Sequence, residues 1–106
     1  MKYLSRPEEL ILLAVWKLTE EAYGVNIRNF IKELTGRYWS VGSIYVPLDR
    51  LEDKGFLRSF RANPTPERGG KSKRYYELTK SGLLQLEEVR KIYQTVWKDM
   101  PEILTK

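Results

Sequence analysis

The sequence predicts a mainly α-helical fold with one small β-hairpin, and three observations carry that expectation. Three stretches with helical apolar spacing lie close together before residue 55, separated by short turns. An alternating segment, a loop rich in Pro and Gly, and a second strand-like segment follow between residues 56 and 78. A last helical stretch carries apolar residues at heptad spacing. The 106-residue length suits one domain, and a hydrophobic fraction of 42% with three Trp, seven Tyr and three Phe suffices for one modest core.

The first helix is expected to start at Ser5, which caps free amides while Glu8 completes a capping box. Pro7 in the first turn costs no hydrogen bond. Leu10, Leu13, Ala14, Trp16 and Leu18 follow, which extends the helix to about Glu20 and predicts a well-buried, central element. Tyr23-Gly24 opens helix 2. Val25, Ile27, Phe30, Ile31 and Leu34 give its spacing, and Gly36 is its left-handed cap. Ser40 caps helix 3, where Ile44, Leu48 and Leu51 form one apolar stripe. Pro47, expected early in this helix, loosens the first turn without breaking it. Lys54-Gly55 closes the helix.

Phe56–Arg61 reads as a strand, 63–70 as the loop and Lys73–Leu78 as the returning strand. Neighbouring strand residues face opposite ways, so one of Tyr75 and Tyr76 fills the core and the other packs at the rim. Thr79 caps the last helix, on which Leu86, Val89, Tyr93, Val96, Met100 and Ile103 form the seam. Pro101 ends or kinks that helix near Met100. The expected organisation is a winged helix-turn-helix domain over residues 1–80 and a C-terminal dimerisation helix over 81–106.

Composition narrows the function. Cys is absent, which excludes disulfides and thiolate chemistry. His is absent too, which removes the usual general base and the commonest metal ligand. No phosphate-cradling Gly/Lys loop and no metal-ligand spacing is present, so neither an enzyme nor a cofactor or metal site is expected. No 18-residue apolar run and no leader pattern stands in the sequence, so no membrane association and a cytoplasmic location are expected.

The net charge of +5 is unevenly placed. Residues 1–36 and 77–106 are each balanced, while residues 37–76 hold nine Lys/Arg against four Asp/Glu. A polyanionic partner explains that asymmetry. Gly42, Ser43, Val46, Asp49, Arg50 and Asp53 fall opposite the helix 3 stripe, with Tyr45 at its boundary. An α-helix fits the major groove, where Ser, Arg and Tyr reach phosphates or base edges. An ordinary solvated amphipathic helix has the same pattern, so helix 3 alone is not decisive. The basic glycine turn weighs more. Arg68, Lys71, Lys73 and Arg74 cluster about Gly69-Gly70, as a ribbon that lies along phosphates requires. The terminal seam is best covered by a two-fold mate, the alternative being a fold back onto helix 1. Trp16, Tyr93 and Trp97 are candidates to line an apolar effector cavity there, or are plain packing residues.

These pieces together resemble the PadR family of transcriptional regulators. The resemblance runs from about Leu4 to about Leu86. It is carried by Glu9-Leu10-Ile11-Leu12-Leu13-Ala14, by Ala22-Tyr23-Gly24-Val25-Asn26-Ile27, by Gly42-Ser43-Ile44-Tyr45 with Leu48–Gly55, and by Pro66–Gly70 with Arg74–Thr79. It implies a dimeric repressor of double-stranded, pseudo-palindromic operators, whose helix 3 enters the major groove with the wing beside it. It also implies a C-terminal dimerisation helix and, in many members, a small aromatic effector near the dimer interface. The candidate contacts are then Tyr23, Ser40, Gly42, Ser43, Tyr45, Val46 and Arg50 in the helical region. Arg68, Gly69, Gly70, Lys71, Lys73 and Arg74 are the candidates in the wing. Many relatives place a proline directly after the recognition-helix tyrosine; here Val46 intervenes before Pro47. A winged-helix module that binds a protein and not DNA is the alternative function.

Overall fold

The computed structural model describes residues 3–62 and 73–101. Its elements are α1 (Arg6–Leu18), a 3₁₀ turn (Thr19–Glu21), α2 (Gly24–Thr35), α3 (Val41–Asp53), β1 (Leu57–Arg61), β2 (Arg74–Leu78) and α4 (Lys80–Trp97). The result is mainly helical with one antiparallel hairpin, as the sequence predicts.

Helix starts follow capping chemistry. The Ser5 hydroxyl accepts from the Glu8 amide, and the Glu8 carboxylate accepts from the Ser5 amide at 2.8 Å. Ser40 caps α3 and Thr79 caps α4, each accepting from the amide three residues on. Gly36 ends α2 with φ 82°, a left-handed conformation that glycine adopts without strain.

The core gathers Ile11, Leu12, Ala14 and Val15 of α1, Ile27 and Ile31 of α2, the α3 stripe, Leu57 and Tyr76. Ile44, Leu48 and Leu51 are each 0% exposed. Tyr76 fills the core and Tyr75 is half-buried at the rim, so the strand alternation reads correctly.

Several expectations are corrected. α1 stops at Leu18, and the chain continues as a tight 3₁₀ turn instead of reaching Glu20 as an α-helix. Its buried side is Ile11, Leu12, Ala14 and Val15, while Leu13 and Trp16 are exposed. An all-round apolar helix is therefore two-sided here, its second face left partly exposed among the described residues. Val25 and Leu34 are also exposed, leaving Ile27 and Ile31 to anchor α2. Pro47 is the seventh residue of α3, beyond the first turn, and the helix runs through it unbroken with the ring buried. α4 ends at Trp97, short of Met100, and Asp99 takes φ 64° just beyond.

One strand-like piece escapes periodicity altogether. Tyr23 forms a bridge to Tyr75, and the Tyr76 amide donates to the Ala22 carbonyl at 2.8 Å. The link between α1 and α2 thus serves as a third edge for the hairpin and ties the wing to the helices. At the far end, α4 crosses the Phe56 carbonyl so closely that a Cβ on Gly82 would lie 2.1 Å from it. Only glycine allows that approach.

Candidate nucleic-acid interface

The outward face of α3 is built by its own cap and stripe. With Ile44, Leu48 and Leu51 inward, Gly42, Ser43, Tyr45, Val46, Asp49, Arg50 and Asp53 are exposed. Ser40 is committed locally: its hydroxyl accepts from the Ser43 amide at 3.1 Å and meets the Ser43 hydroxyl at 2.9 Å. Ser40 therefore fixes the helix start, and Ser43 presents its remaining lone pair outward. Ser40, Gly42, Ser43, Val46 and Arg50 line one shallow groove with Ser5, Pro7 and Trp39.

Tyr45 leans away from that groove onto the start of α2. A Cβ on Gly24 would sit 1.7 Å from the Tyr45 hydroxyl oxygen, so glycine at this position is what makes room for the ring. Tyr23, Gly24 and Tyr45 are thereby assembled into one surface.

At the wing root Tyr75 makes an edge contact with Tyr23 at 5.3 Å and stacks on Phe60 at 5.8 Å. The Lys73 ammonium lies 3.8 Å from the centre of the Tyr23 ring. Lys73, Tyr23 and Tyr45 are thus gathered between the two helices and the wing. Arg74 is placed differently from Lys73. Its Nε donates to the Ser59 hydroxyl at 3.1 Å, and its guanidinium stands 3.8 Å from Glu52 of α3. The Ser59 hydroxyl in turn donates to Glu52 at 2.7 Å. Arg68, Gly69, Gly70 and Lys71 lie outside the described residues.

The end of α3 is also pinned from behind. The Lys54 ammonium donates to the Glu8 carboxylate at 2.8 Å, and Glu8 is 2% exposed. Burial pushes the Glu8 carboxyl up, but Lys54 and the Ser5 amide outweigh it and hold it below its ordinary value. Burial likewise pushes the Tyr76 hydroxyl up, the Arg74 charge opposing it only in part.

The surface across the molecule is apolar. Trp16 and Leu13 of α1 face Leu86, Val89, Tyr93 and Trp97 of α4 across a groove of about 850 Å³. The three expected effector-site residues, Trp16, Tyr93 and Trp97, are brought together there. Leu86 packs against this chain's own core, and the Tyr93 hydroxyl donates to Glu9 of α1 at 2.9 Å. The upper seam is therefore partly satisfied within the chain, whereas Val96 and Trp97 stay 60% and 59% exposed. Met100 is past the helix end, and Ile103 lies outside the described residues.

Residues 12–88 match the model of the Transcriptional regulator PadR-like family. The chain belongs to that family. No curated protein matches it. A PadR family transcription regulator from hypervirulent Clostridium difficile has a similar structure, at 25% identity and TM-score 0.74, covering 91% of this chain and 95% of the other. A PadR-like transcriptional regulator from Bacillus cereus is 26% identical with TM-score 0.68, covering 86% and 84%. A PadR family regulator from Eggerthella lenta is 29% identical with TM-score 0.67, covering 84% and 75%. Membership of the PadR-like family makes this chain a transcriptional regulator. Among its described residues no helix is long and apolar enough to cross a membrane.

Two parts of this surface escape sequence reasoning. The packing of Gly24 under Tyr45 needs the crossing of α2 and α3, which no local pattern encodes. The cationic corner between α2 and α3, at Arg28, Lys32 and Tyr38, has one local signal, the spacing of four between Arg28 and Lys32.

Proposed function

We propose that this PadR-like regulator is a cytoplasmic homodimer that binds a pseudo-palindromic DNA site and represses transcription. The observation that carries the reading is the juxtaposition at one surface of the exposed α3 face and the Lys73–Tyr23 wing root. Arg50, Ser43 and Val46 face the groove edges, with Val46 suited to a thymine methyl and Arg50 to phosphate or guanine. Lys73 faces the flanking backbone from the wing root, and the basic residues Arg68 and Lys71 add phosphate contacts beside it. The exposed end of α4, with Val96 and Trp97, and Met100 just beyond it meet the mate across the two-fold axis. Half-sites then lie on one duplex face, about 34 Å apart. The Trp16–Tyr93–Trp97 groove suits a flat aromatic effector, stacked between the indoles.

The test is a gel shift on the duplex upstream of the regulator's own gene, at low and high salt, with mass measured by light scattering. A dimer whose affinity falls steeply with salt is expected. Salt-independent binding, or no binding to any upstream duplex by a well-folded sample, overturns the reading. Tryptophan quenching by small phenols, lost in Trp97→Ala, checks the groove.

A further inference from the structure

The turn between α2 and α3 carries a cluster of cations that the regulator's expected contacts leave out. Arg28 lies 5.0 Å and Lys32 5.6 Å from the centre of the same Tyr38 ring. Arg37 is exposed one residue before it, and Tyr38 itself is 59% exposed. No carboxylate lies within salt-bridge distance of Arg28, Lys32 or Arg37 among the described residues. Like charges one helical turn apart repel mildly, and among the described residues no ion pair offsets that.

The corner is also held in place. Arg28 Nε donates to the Trp39 carbonyl at 2.7 Å, immediately before the α3 cap Ser40. The Thr35 hydroxyl donates to the Ile31 carbonyl at 2.8 Å and accepts from the Arg37 amide at 3.3 Å. Ring, turn and cations therefore form a preorganised, unneutralised positive platform at the start of α3. The wing root lies at the other end of α2, where Lys73 stands on the N-cap Tyr23. The twelve residues of α2 span about 18 Å, more than the roughly 12 Å width of a major groove. A helix laid in that groove has a phosphate strand on each rim.

We infer that Lys32, Arg37 and the free guanidinium edge of Arg28 form a second phosphodiester clamp, opposite the wing, with Tyr38 as the plate that holds the cations. This rests on the DNA-binding reading above and extends it to residues outside α3 and the wing. Such a clamp adds affinity for any duplex and no base selectivity.

The experiment uses the full chain with Lys32→Gln, Arg37→Gln, the wing variant Lys73→Gln, and Lys91→Gln on the exposed side of α4 as control. Fluorescence anisotropy follows a labelled upstream duplex and a scrambled duplex over a salt series, after thermal melts establish folding. Lys32→Gln and Arg37→Gln should each lower the slope of log K against log salt by about one unit, equally on both duplexes, while Lys91→Gln leaves it unchanged. Arg37 stands in the turn and is exposed, so its variant remains informative if Lys32→Gln folds poorly. Unchanged slopes for both, with Lys73→Gln lowered, overturn the clamp and leave the DNA-binding reading standing. If the unmodified chain binds neither duplex, both fall.

Discussion

Helices α3 and α4 carry apolar stripes of the same spacing and meet opposite fates. On α3, Ile44, Leu48 and Leu51 are fully buried by α1, α2 and the sheet. On α4, Leu86 reaches the core, but Ile92, Val96 and Trp97 remain exposed. The contrast teaches that periodicity fixes which face of a helix is apolar and leaves open what covers it. α3 is covered by its own chain, so its polar face becomes the presented one. α4 leaves part of its apolar face exposed, the kind of patch the proposed two-fold mate would cover.

The largest effect should come from breaking the covered stripe. Leu48→Ala removes a side chain with no exposure and leaves a cavity beneath α3. A loss of about 3 kcal/mol is expected in denaturant unfolding. A loss below about 1 kcal/mol would mean that α3 is not anchored as described. The matching substitution on the uncovered stripe, Val96→Glu, should leave the melting of the isolated chain nearly unchanged. It should instead weaken self-association by a factor of about 30 or more, read by sedimentation, since it buries a charge where the proposed mate packs. Equal destabilisation by both substitutions would erase the distinction between the helices.

A third test lies where α3 meets α1. Glu8 has its carboxyl lowered in the fold, burial being outweighed by Lys54 and the Ser5 amide. Its stabilising contribution is complete above the ordinary value of 4.5 and is lost as pH falls through the lowered value. Glu8→Gln should therefore flatten the acid limb of the stability profile and cost about 1–2 kcal/mol at pH 7. An unchanged acid limb would show that other carboxylates govern it.

Much of this was legible because the chain's punctuation is local chemistry. Ser5, Ser40 and Thr79 cap helices, and Gly36 closes one, through contacts within a few residues. The α1 reading went astray at Leu13 and Trp16 for the opposite reason: both sides of that helix are apolar, and only the fold decides which side the chain itself covers. Pro101 points to a kink or end near Met100, whereas α4 ends already at Trp97 and Asp99 turns the chain to positive φ. At the interface, the α3 face was readable from its stripe. The Gly24–Tyr45 fit and the Ala22–Tyr76 hydrogen bond were not, since each joins elements whose approach is a property of the packed whole.

The smallest effect, and the finest distinction, concerns Arg74. By sequence it belongs with the wing cations, yet it stands against Glu52 and Ser59, tying the end of α3 to both strands. A partly exposed pair of this kind contributes under about 1 kcal/mol to stability. In the proposed DNA complex its part would be the angle it sets between α3 and the hairpin strands. Arg74→Gln should then weaken binding while changing the salt slope less than Lys73→Gln does, because Glu52 already neutralises the arginine. Glu52→Gln should weaken binding as well, since it loosens the strut. A phosphate contact predicts the reverse, for removal of the competing carboxylate would free Arg74 and tighten the complex. The sign of the Glu52→Gln effect, measured on one duplex at one salt concentration, separates a strut from a clamp.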